Sequence, residues 1–394
     1  MIILGRYFGF VAIVLIFSTL DMWLNISGFF SIKATVLTAS SLLISTLLLY
    51  AGSNQTKQRF LSTLREAVSS YFLLYIFILY SLITVLLVSD IDTGSITQSF
   101  LFLYALFFII CSTLVICHDY RTVSKFIGIA LIILCLSVFV DVFSPGYFGN
   151  YPQRAAGFPQ NPTRAAIAVN FALIGALSYE NNSKTDILYI TIAGLALIAI
   201  MSKTGVFIFI STMILYLSSR RIKLAKLLFY MILASVLFFI FVQLFMLFFY
   251  EGSIFSLAGD KILRILSLEA ITDLSVRQSI WKDYLSIVNE NLFFGKGAGY
   301  LASLDQMGAH NFFLHTIIEY GIVGLTLILI ILVLSGIICL KVKGRALSVY
   351  IAFLLLSLVH STPLYERPVL FMIAFAIVIA YRKESAKIGL WRHI

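Results

Sequence analysis

Long apolar runs separated by short polar gaps make up most of the chain. Runs such as 71–89 and 227–250 hold 18 or more residues, the length with which an α-helix crosses a hydrocarbon core of about 30 Å. Apolar and polar residues do not alternate with the period of two that a membrane β-barrel needs. The pattern therefore predicts an all-α fold, a polytopic transmembrane helical bundle.

About twelve spans follow from these runs, within a single integral membrane domain that covers residues 1–394. The apolar stretch that begins at Tyr7 is long and has no small-residue cleavage site, so it is predicted to be the first span and not a removed signal peptide. The spans are placed at 7–29, 33–51, 67–89, 98–117, 126–143, 164–179, 187–202, 204–219, 227–250, 312–339, 346–363 and 368–381.

The composition agrees with a membrane environment, since 61% of the residues are hydrophobic, 12% are charged and the mean hydropathy is +1.02. A net charge of +10 also occurs in nucleic-acid-binding proteins, and the distribution of the charge decides between the two. Most lysines and arginines fall in every second gap between the predicted spans, as they do in cytoplasmic loops. Both termini are therefore predicted to be cytoplasmic.

Two segments on the opposite, outer face are long enough to build a site. The first, 144–164, holds four of the six prolines and is predicted to be an ordered irregular loop without a helix. The second, 251–311, is the largest hydrophilic segment of the chain. The basic residues assigned to the outer face are Lys33, Arg154, Arg164, Lys203, Lys261, Arg264, Arg277, Lys282, Lys296 and Arg367.

A helix of about four turns is predicted inside the second outer segment, because 275–278 reads as a capping box. Its apolar face would lie on the membrane surface or cover a cavity. The helix runs into three alternate glycines that permit close approach of the backbone to another group, with an ordinary loop tip as the alternative. The apolar face comprises Ile280, Trp281, Tyr284, Leu285 and Val288, and the glycines are Gly295, Gly297 and Gly299.

A histidine and an asparagine, His310 and Asn311, stand at the outer mouth of the span at 312–339. Histidine titrates near neutral pH, so at a water-accessible mouth it is suited to accept a proton. A structural histidine at the interface is the alternative. Gly321 and Gly324, further along the same span, are expected to permit close helix packing.

Lys203 interrupts an apolar stretch that otherwise runs from Ile187 to Leu217. The interruption predicts two antiparallel spans joined by a very tight turn, with Lys203 at the outer surface. A lysine that extends its amine to the interface from within a span is the alternative.

The outer cations suit a diphosphate head group at the membrane surface. Arginine presents a rigid fork that matches phosphate oxygens, and lysine adds a point charge. The outer acidic residues have no pair with metal-ligand spacing, so metal-assisted transfer is disfavoured. The outer acids still open to that role are Asp260, Asp273 and Asp305, and Asp21, Asp141 and Glu319 lie within or near spans, where structural pairing is favoured over proton relay.

Several of these segments together resemble the O-antigen ligase and Wzy-type polymerase family. The stretch HNFFLHTIIEYGIVGL, from His310 to Leu325, is similar to the family's signature of a His-Asn pair followed by two spaced glycines. RAAGFPQNPTRAA, which begins at Arg154, resembles the family's Arg-Gly-Asn-Pro loop. The helix that holds Arg277 and Trp281 resembles its Arg-Trp-Gly-Gly helix, and Ser-Lys-Thr at 202–204 stands where the family usually has Ser-Arg-Thr.

The resemblance implies a GT-C-like helical glycosyltransferase in a bacterial inner membrane, with a periplasmic active site and without metal or cofactor. The donor would be an undecaprenyl-diphosphate-linked glycan. The catalytic residues are then expected to be His310, Arg277 and Lys203, and the diphosphate- or substrate-binding residues Arg154, Arg164, Asn161, Asn311 and Lys296.

Three functions remain open from the sequence. A ligase would transfer the glycan to a sugar of lipid A core, and a polymerase would transfer it to a second lipid-linked repeat unit. The compact loop between Arg277 and His310 favours the ligase slightly. A flippase for lipid-linked sugars would place its cations near the membrane midplane, whereas these gather at one surface.

Overall fold

The computed structural model describes residues 1–27, 34–66, 74, 76–84, 93–144, 147–148, 154–178, 184–220, 284, 286–288, 291–303 and 309–387. Within these ranges the chain is helical and has no strand, which confirms the all-α prediction. The helices are α1 (Ile2–Ser18), α2 (Leu20–Ile26), α3 (Ala34–Gly52), α4 (Asn54–Glu66), α5 (Thr93–His118), α6 (Tyr120–Phe143), α7 (Pro162–Ala176), α8 (Lys184–Ile200), α9 (Lys203–Arg220), α10 (Tyr300–Ser303), α11 (Phe312–Val342), α12 (Gly344–Ser357) and α13 (Arg367–Lys387), with a 3-10 turn at Pro363–Tyr365.

Four helices in the described part of the chain are long and apolar enough to cross a membrane. They lie at Thr35–Gly52 in α3, Phe100–His118 in α5, Tyr120–Phe143 and Phe312–Val342, and α1 with α2 makes a fifth if the bent pair counts as one span. The protein is therefore a helical membrane protein. The number of about twelve spans stays a prediction, and the predicted span at 227–250 lies outside the described residues.

Two of the predicted spans differ from the structure, one because it is bent and one because it ends earlier. The first is not one straight helix, because Thr19 has a φ of 53° and the chain bends by 74° between α1 and α2. The predicted span at 346–363 ends at Ser357 instead, and Pro363 opens a 3-10 turn. A proline disfavours the helical conformation of the residue before it, here Thr362, which agrees with the helix not extending to residue 363.

One compact unit comprises Ile3–Ser45 and Asp119–Glu269, and we call it the α7 unit. Its central helix is α7, in which every residue from Ala165 to Ala176 is buried, and α6, α8 and α9 pack around it. The side-chain amide of Asn170 donates to the carbonyl oxygens of Ala166 at 2.9 Å and Gly205 at 3.0 Å. These bonds tie α7 to α9.

α8 and α9 form a hairpin whose turn consists of Met201 and Ser202. Three contacts run across it: Tyr216 with Asp186, Phe209 with Gly194, and Gly205 with Leu197. Residue numbers rise along α9 as they fall along α8, so the two helices are antiparallel. The structure thus confirms the tight turn that the interruption at Lys203 predicted.

The other compact unit comprises Met1–Ile2, Thr46–His118 and Ala270–Ile394, and we call it the α11 unit. In it α5 packs against α4 and α13, and α11, α12 and α13 pack against one another. α11 exposes a row of apolar side chains, as a helix in contact with lipid does. They are Leu329, Ile330, Val333, Leu334, Ile337 and Leu340.

α11 is broken at Gly321, whose φ of 63° and ψ of −166° are accessible almost only to glycine. The segment 292–297 lies against the break and pairs with its backbone groups. The bonds are Lys296 N–H to Ile318 O at 2.8 Å, Gly297 N–H to Glu319 O at 3.0 Å, and Ile322 N–H to Leu292 O at 2.8 Å. The glycine-rich stretch therefore makes the predicted close backbone approach, and its partner is a helix break.

The expected role of Gly321 in helix–helix packing is wrong, because the residue ends one helical segment and contacts a loop instead. A Cβ at this position would lie 2.2 Å from the carbonyl oxygen of Phe293. For Gly324 the expectation of close packing is confirmed, since a Cβ there would lie 3.3 Å from the ring of Tyr80 in the neighbouring helical segment 76–84.

Gly321→Ala should strongly destabilise the protein, because the added methyl group meets the Phe293 carbonyl and the backbone conformation disfavours any side chain. We expect a loss of more than about 3 kcal/mol in the free energy of unfolding, measured by denaturant unfolding in detergent. The control is Gly194→Ala, whose methyl group would lie 3.5 Å from Phe209 within a helix and should cost nothing. Equal stability of the two variants would contradict this account.

Candidate functional site

Arg154 lies against the turn of the α8–α9 hairpin. Its Nε donates to the carbonyl oxygen of Ile200 and its Nη2 to that of Met201, each at 3.2 Å. The carbonyl oxygens at a helix C-terminus carry partial negative charge, and an arginine satisfies them well. These contacts hold Arg154 beside the turn that leads into Lys203.

Lys203 begins α9 and Arg164 lies in the first turn of α7. The two helix starts adjoin, since a Cβ at Gly205 would lie 2.8 Å from the Cβ of Ala166. Both cationic side chains are exposed. Helix N-termini attract anions through their amide groups and dipoles, and three cations lie at or beside these two helix starts. We call Arg154, Arg164 and Lys203 the cation cluster.

Asn161 positions the first turn of α7. Its side-chain oxygen accepts hydrogen bonds from the backbone amides of Thr163 at 2.8 Å and Arg164 at 3.3 Å, as an N-cap residue does. The oxygen thereby orients the turn that carries Arg164. Binding of substrate by Asn161 remains a prediction.

Asp141, at the end of α6, holds the loop that carries Arg154. Its carboxylate is buried and accepts hydrogen bonds from the amides of Phe148 at 3.2 Å, Ala156 at 2.8 Å and Gly157 at 3.2 Å. The described residues of the outer loop are non-helical as far as Asn161, as predicted, but its last three residues already belong to α7, which begins at Pro162. These contacts agree with the structural role that was predicted for Asp141.

Asp21 is also paired within the α7 unit. It is buried, and its carboxylate accepts hydrogen bonds from the hydroxyl of Thr38 and from the amide of Met22. These contacts support a structural role for Asp21 and not a role in proton relay.

His310 and Asn311 open α11 in the α11 unit. Asn311 caps the helix by accepting from the amide of Leu314 at 3.0 Å, and its side-chain nitrogen donates to the carbonyl oxygen of Leu358 at 3.3 Å. His310 is exposed, and its φ of 48° costs a residue with a side chain on the order of 1–3 kcal/mol. Such backbone persists where its neighbours fix it, and the two bonds of Asn311 fix the adjoining residue.

His315 is a buried histidine that the sequence pattern did not single out. Its Nε2 lies 3.3 Å from Oε2 of Glu319, at ion-pair distance but without hydrogen-bond geometry. Oε1 of the fully buried Glu319 accepts from the amide of Leu301 at 3.2 Å. Residues four apart share a helix face, so the spacing in the sequence was the available signal. Glu319 is paired with His315, which agrees with the predicted structural role.

Lys296 lies in the segment that pairs with the helix break. Its ammonium group is 5.9 Å from the ring centroid of Tyr300, and its backbone amide bonds to Ile318. The backbone of Lys296 thus adjoins the middle of α11 near Ile318. A role for it in binding substrate stays a prediction.

The predicted outer helix is described only at its end. Tyr284 and Val288 are buried and pack with Leu301, Ala309 and Ile318, as predicted for its apolar face. Arg277 and Trp281 lie outside the described residues, as do Asp260, Asp273 and Asp305. Within the described ranges, His, Cys, Asp and Glu side chains form no group of three or more that is placed to hold a metal ion.

The fold and these clusters define a helical membrane protein with a cationic surface in one unit and an exposed histidine at a helix mouth in the other. Residues 187–329 match a family model described as O-antigen ligase. The resemblance that the motifs carry is thereby confirmed. The matched range includes Lys203, Arg277, Lys296, His310 and Asn311. No curated protein matches the chain.

Asp141→Ala should destabilise the loop that presents Arg154, because three amides lose their buried acceptor. We expect a loss of about 3 kcal/mol in the free energy of unfolding in detergent. The control is Asp119, which caps the opposite end of α6 through two backbone amides, so that Asp119→Ala should cost only about 1 kcal/mol. Equal losses in the two variants would count against this role of Asp141.

Proposed function

We propose that the protein is an O-antigen ligase-like glycosyltransferase, which transfers an undecaprenyl-diphosphate-linked glycan to a sugar of lipid A core at the periplasmic face. The observation that carries the proposal is the cation cluster at and beside the adjoining starts of α7 and α9, in a chain whose residues 187–329 match a family model described as O-antigen ligase. Guanidinium groups, ammonium groups and helix N-termini all bind phosphate oxygens well, so they suit a lipid-linked diphosphate.

The cation cluster would act on the donor, together with Arg277. Negative charge develops on the diphosphate as the glycosidic bond breaks, and cations fixed in place before the reaction stabilise that charge. Lys203 supplies a point charge where the family usually has the fork of an arginine. Diphosphate is a good leaving group, so the step needs no general acid.

His310 would act on the acceptor. The hydroxyl oxygen of the acceptor sugar forms a bond to the anomeric carbon of the donor while the imidazole takes up the hydroxyl proton. The diphosphate departs from the opposite side, so the configuration at the anomeric carbon is inverted. The reaction uses side chains alone, without metal or cofactor.

The acceptor distinguishes the ligase from its alternatives. Purified protein in nanodiscs is given the lipid-linked donor with either lipid A core or a second lipid-linked repeat unit. We expect transfer to lipid A core. Transfer to the repeat unit alone would identify a polymerase, and transfer to neither acceptor would disprove the glycosyltransferase proposal.

His310→Ala should abolish glycan transfer but leave donor binding intact, because the cations that hold the diphosphate remain. General-base catalysis contributes about a hundred- to ten-thousand-fold to the rate, so a variant that retains more than about a tenth of the wild-type rate would exclude this role.

Lys203→Ala should instead weaken donor binding by roughly ten- to hundred-fold, and Lys203→Arg should restore it. Donor binding and single-turnover transfer are measured for all three variants.

The orientation in the membrane can be tested by cysteine labelling. The four native cysteines are buried and are replaced first. Single cysteines at Ser275 and Gln306 should then react with a membrane-impermeant reagent from the periplasm, and cysteines at Ser219 and Ser385 only from the cytoplasm, because basic loops stay inside. Labelling at Ser275 from the cytoplasm alone would reverse the topology and place the chemistry on the wrong side.

A further inference from the structure

The loop that joins α12 to α13, residues 358–366, lies against the start of α11, and we call it the mouth loop. The side-chain amide of Asn311 donates to the carbonyl oxygen of Leu358 at 3.3 Å, so the loop adjoins the residue that follows His310. Pro363 is buried, and the ring of Tyr365 packs edge-on against Phe102 of α5 at a centroid distance of 5.6 Å. These contacts anchor the loop at both ends.

His360 and Glu366 form a pair on the mouth loop. The Nε2 of His360 lies 3.7 Å from Oε1 of Glu366. The Nδ1 of His360 accepts a hydrogen bond from the amide of Thr362 at 3.1 Å, so the neutral imidazole carries its proton on Nε2, on the side of Glu366. The two side chains are 18% and 14% exposed. The backbone amide of Thr362 therefore fixes the imidazole, and both side chains of the pair remain partly exposed at the protein surface.

We propose that His360 and Glu366 bind hydroxyl groups of the acceptor sugar, an inference that rests on the proposed function. A hydroxyl that gives its proton to His310 must lie within about 3 Å of the imidazole. The acceptor sugar then occupies the space beside His310 and Asn311, which the mouth loop adjoins. The carboxylate accepts hydrogen bonds from hydroxyl groups, and the imidazole N–H donates one.

The charge of Glu366 matches the acceptor and not the donor head group. A carboxylate repels a diphosphate, whereas neutral sugar hydroxyls donate to it readily. The next residue, Arg367, is buried, whereas the side chain of Glu366 reaches the surface. In this proposal the positive charge of the cation cluster selects the donor diphosphate, and the negative charge of Glu366 selects the acceptor hydroxyl groups.

The test compares Glu366→Gln with wild type in nanodiscs, with lipid A core and a second lipid-linked repeat unit as the acceptor probes. Glutamine keeps the size of the side chain and one acceptor oxygen but removes the charge. We expect the KM for the acceptor and its directly measured dissociation constant to rise about ten-fold, with donor affinity and thermal stability unchanged. Ser361→Ala, on the same loop, is the matched control and should behave as wild type.

His360 is tested in the double variant His360→Gln/Glu366→Gln. Because the imidazole is proposed to contact a hydroxyl group of its own, the double variant should bind the acceptor more weakly than Glu366→Gln alone, and equal binding by the two variants would overturn the role of His360. Unchanged acceptor binding in Glu366→Gln, or an equal loss of donor affinity, would overturn the inference while leaving the proposed function intact if His310→Ala still abolishes transfer. Weakened acceptor binding in a protein that transfers to neither probe would retain this site and overturn the transferase.

Discussion

A helix that is interrupted within a membrane must have its released backbone groups paired, because lipid offers them no hydrogen bonds. At Gly321 the pairing comes from residues 292–297, whose amides and carbonyl groups meet those of α11 on both sides of the break. Two stretches that lie apart in the sequence thus become one backbone structure. The helix that His310 opens is thereby joined to the segment that follows the predicted outer helix, so the position of the one depends on that of the other.

Buried polar side chains reinforce this junction. Glu319 precedes the break by two residues, and its carboxylate reaches both His315 on its own helix and the amide of Leu301. A buried carboxylate is costly unless it is paired, and here the pairing adds a second connection between α11 and the segment that docks on it. Glu319 thus helps to hold α11 and the segment that contains Leu301 together.

In the α7 unit, ordinary structural interactions present the proposed phosphate ligands. Asp141 gathers three loop amides, Asn161 caps α7, and Arg154 satisfies the carbonyl groups at the end of α8. Each of these interactions completes backbone hydrogen bonding, and together they leave Lys203 and Arg164 exposed at neighbouring helix starts. The same contacts that stabilise the loop thus concentrate positive charge at one end of the unit.

The helices and the family match were readable from the residues, because the length of an apolar run and the spacing of a motif are properties of short stretches. The interruption at Lys203 showed a hairpin for the same reason. The roles of particular side chains needed the fold. Arg154 meets Met201, and Asn311 meets Leu358, across 47 residues in each case, and no local period encodes a contact of that range. The break at Gly321 arises from such a contact, since the backbone groups that it releases find their partners only once the segment 292–297 packs against α11.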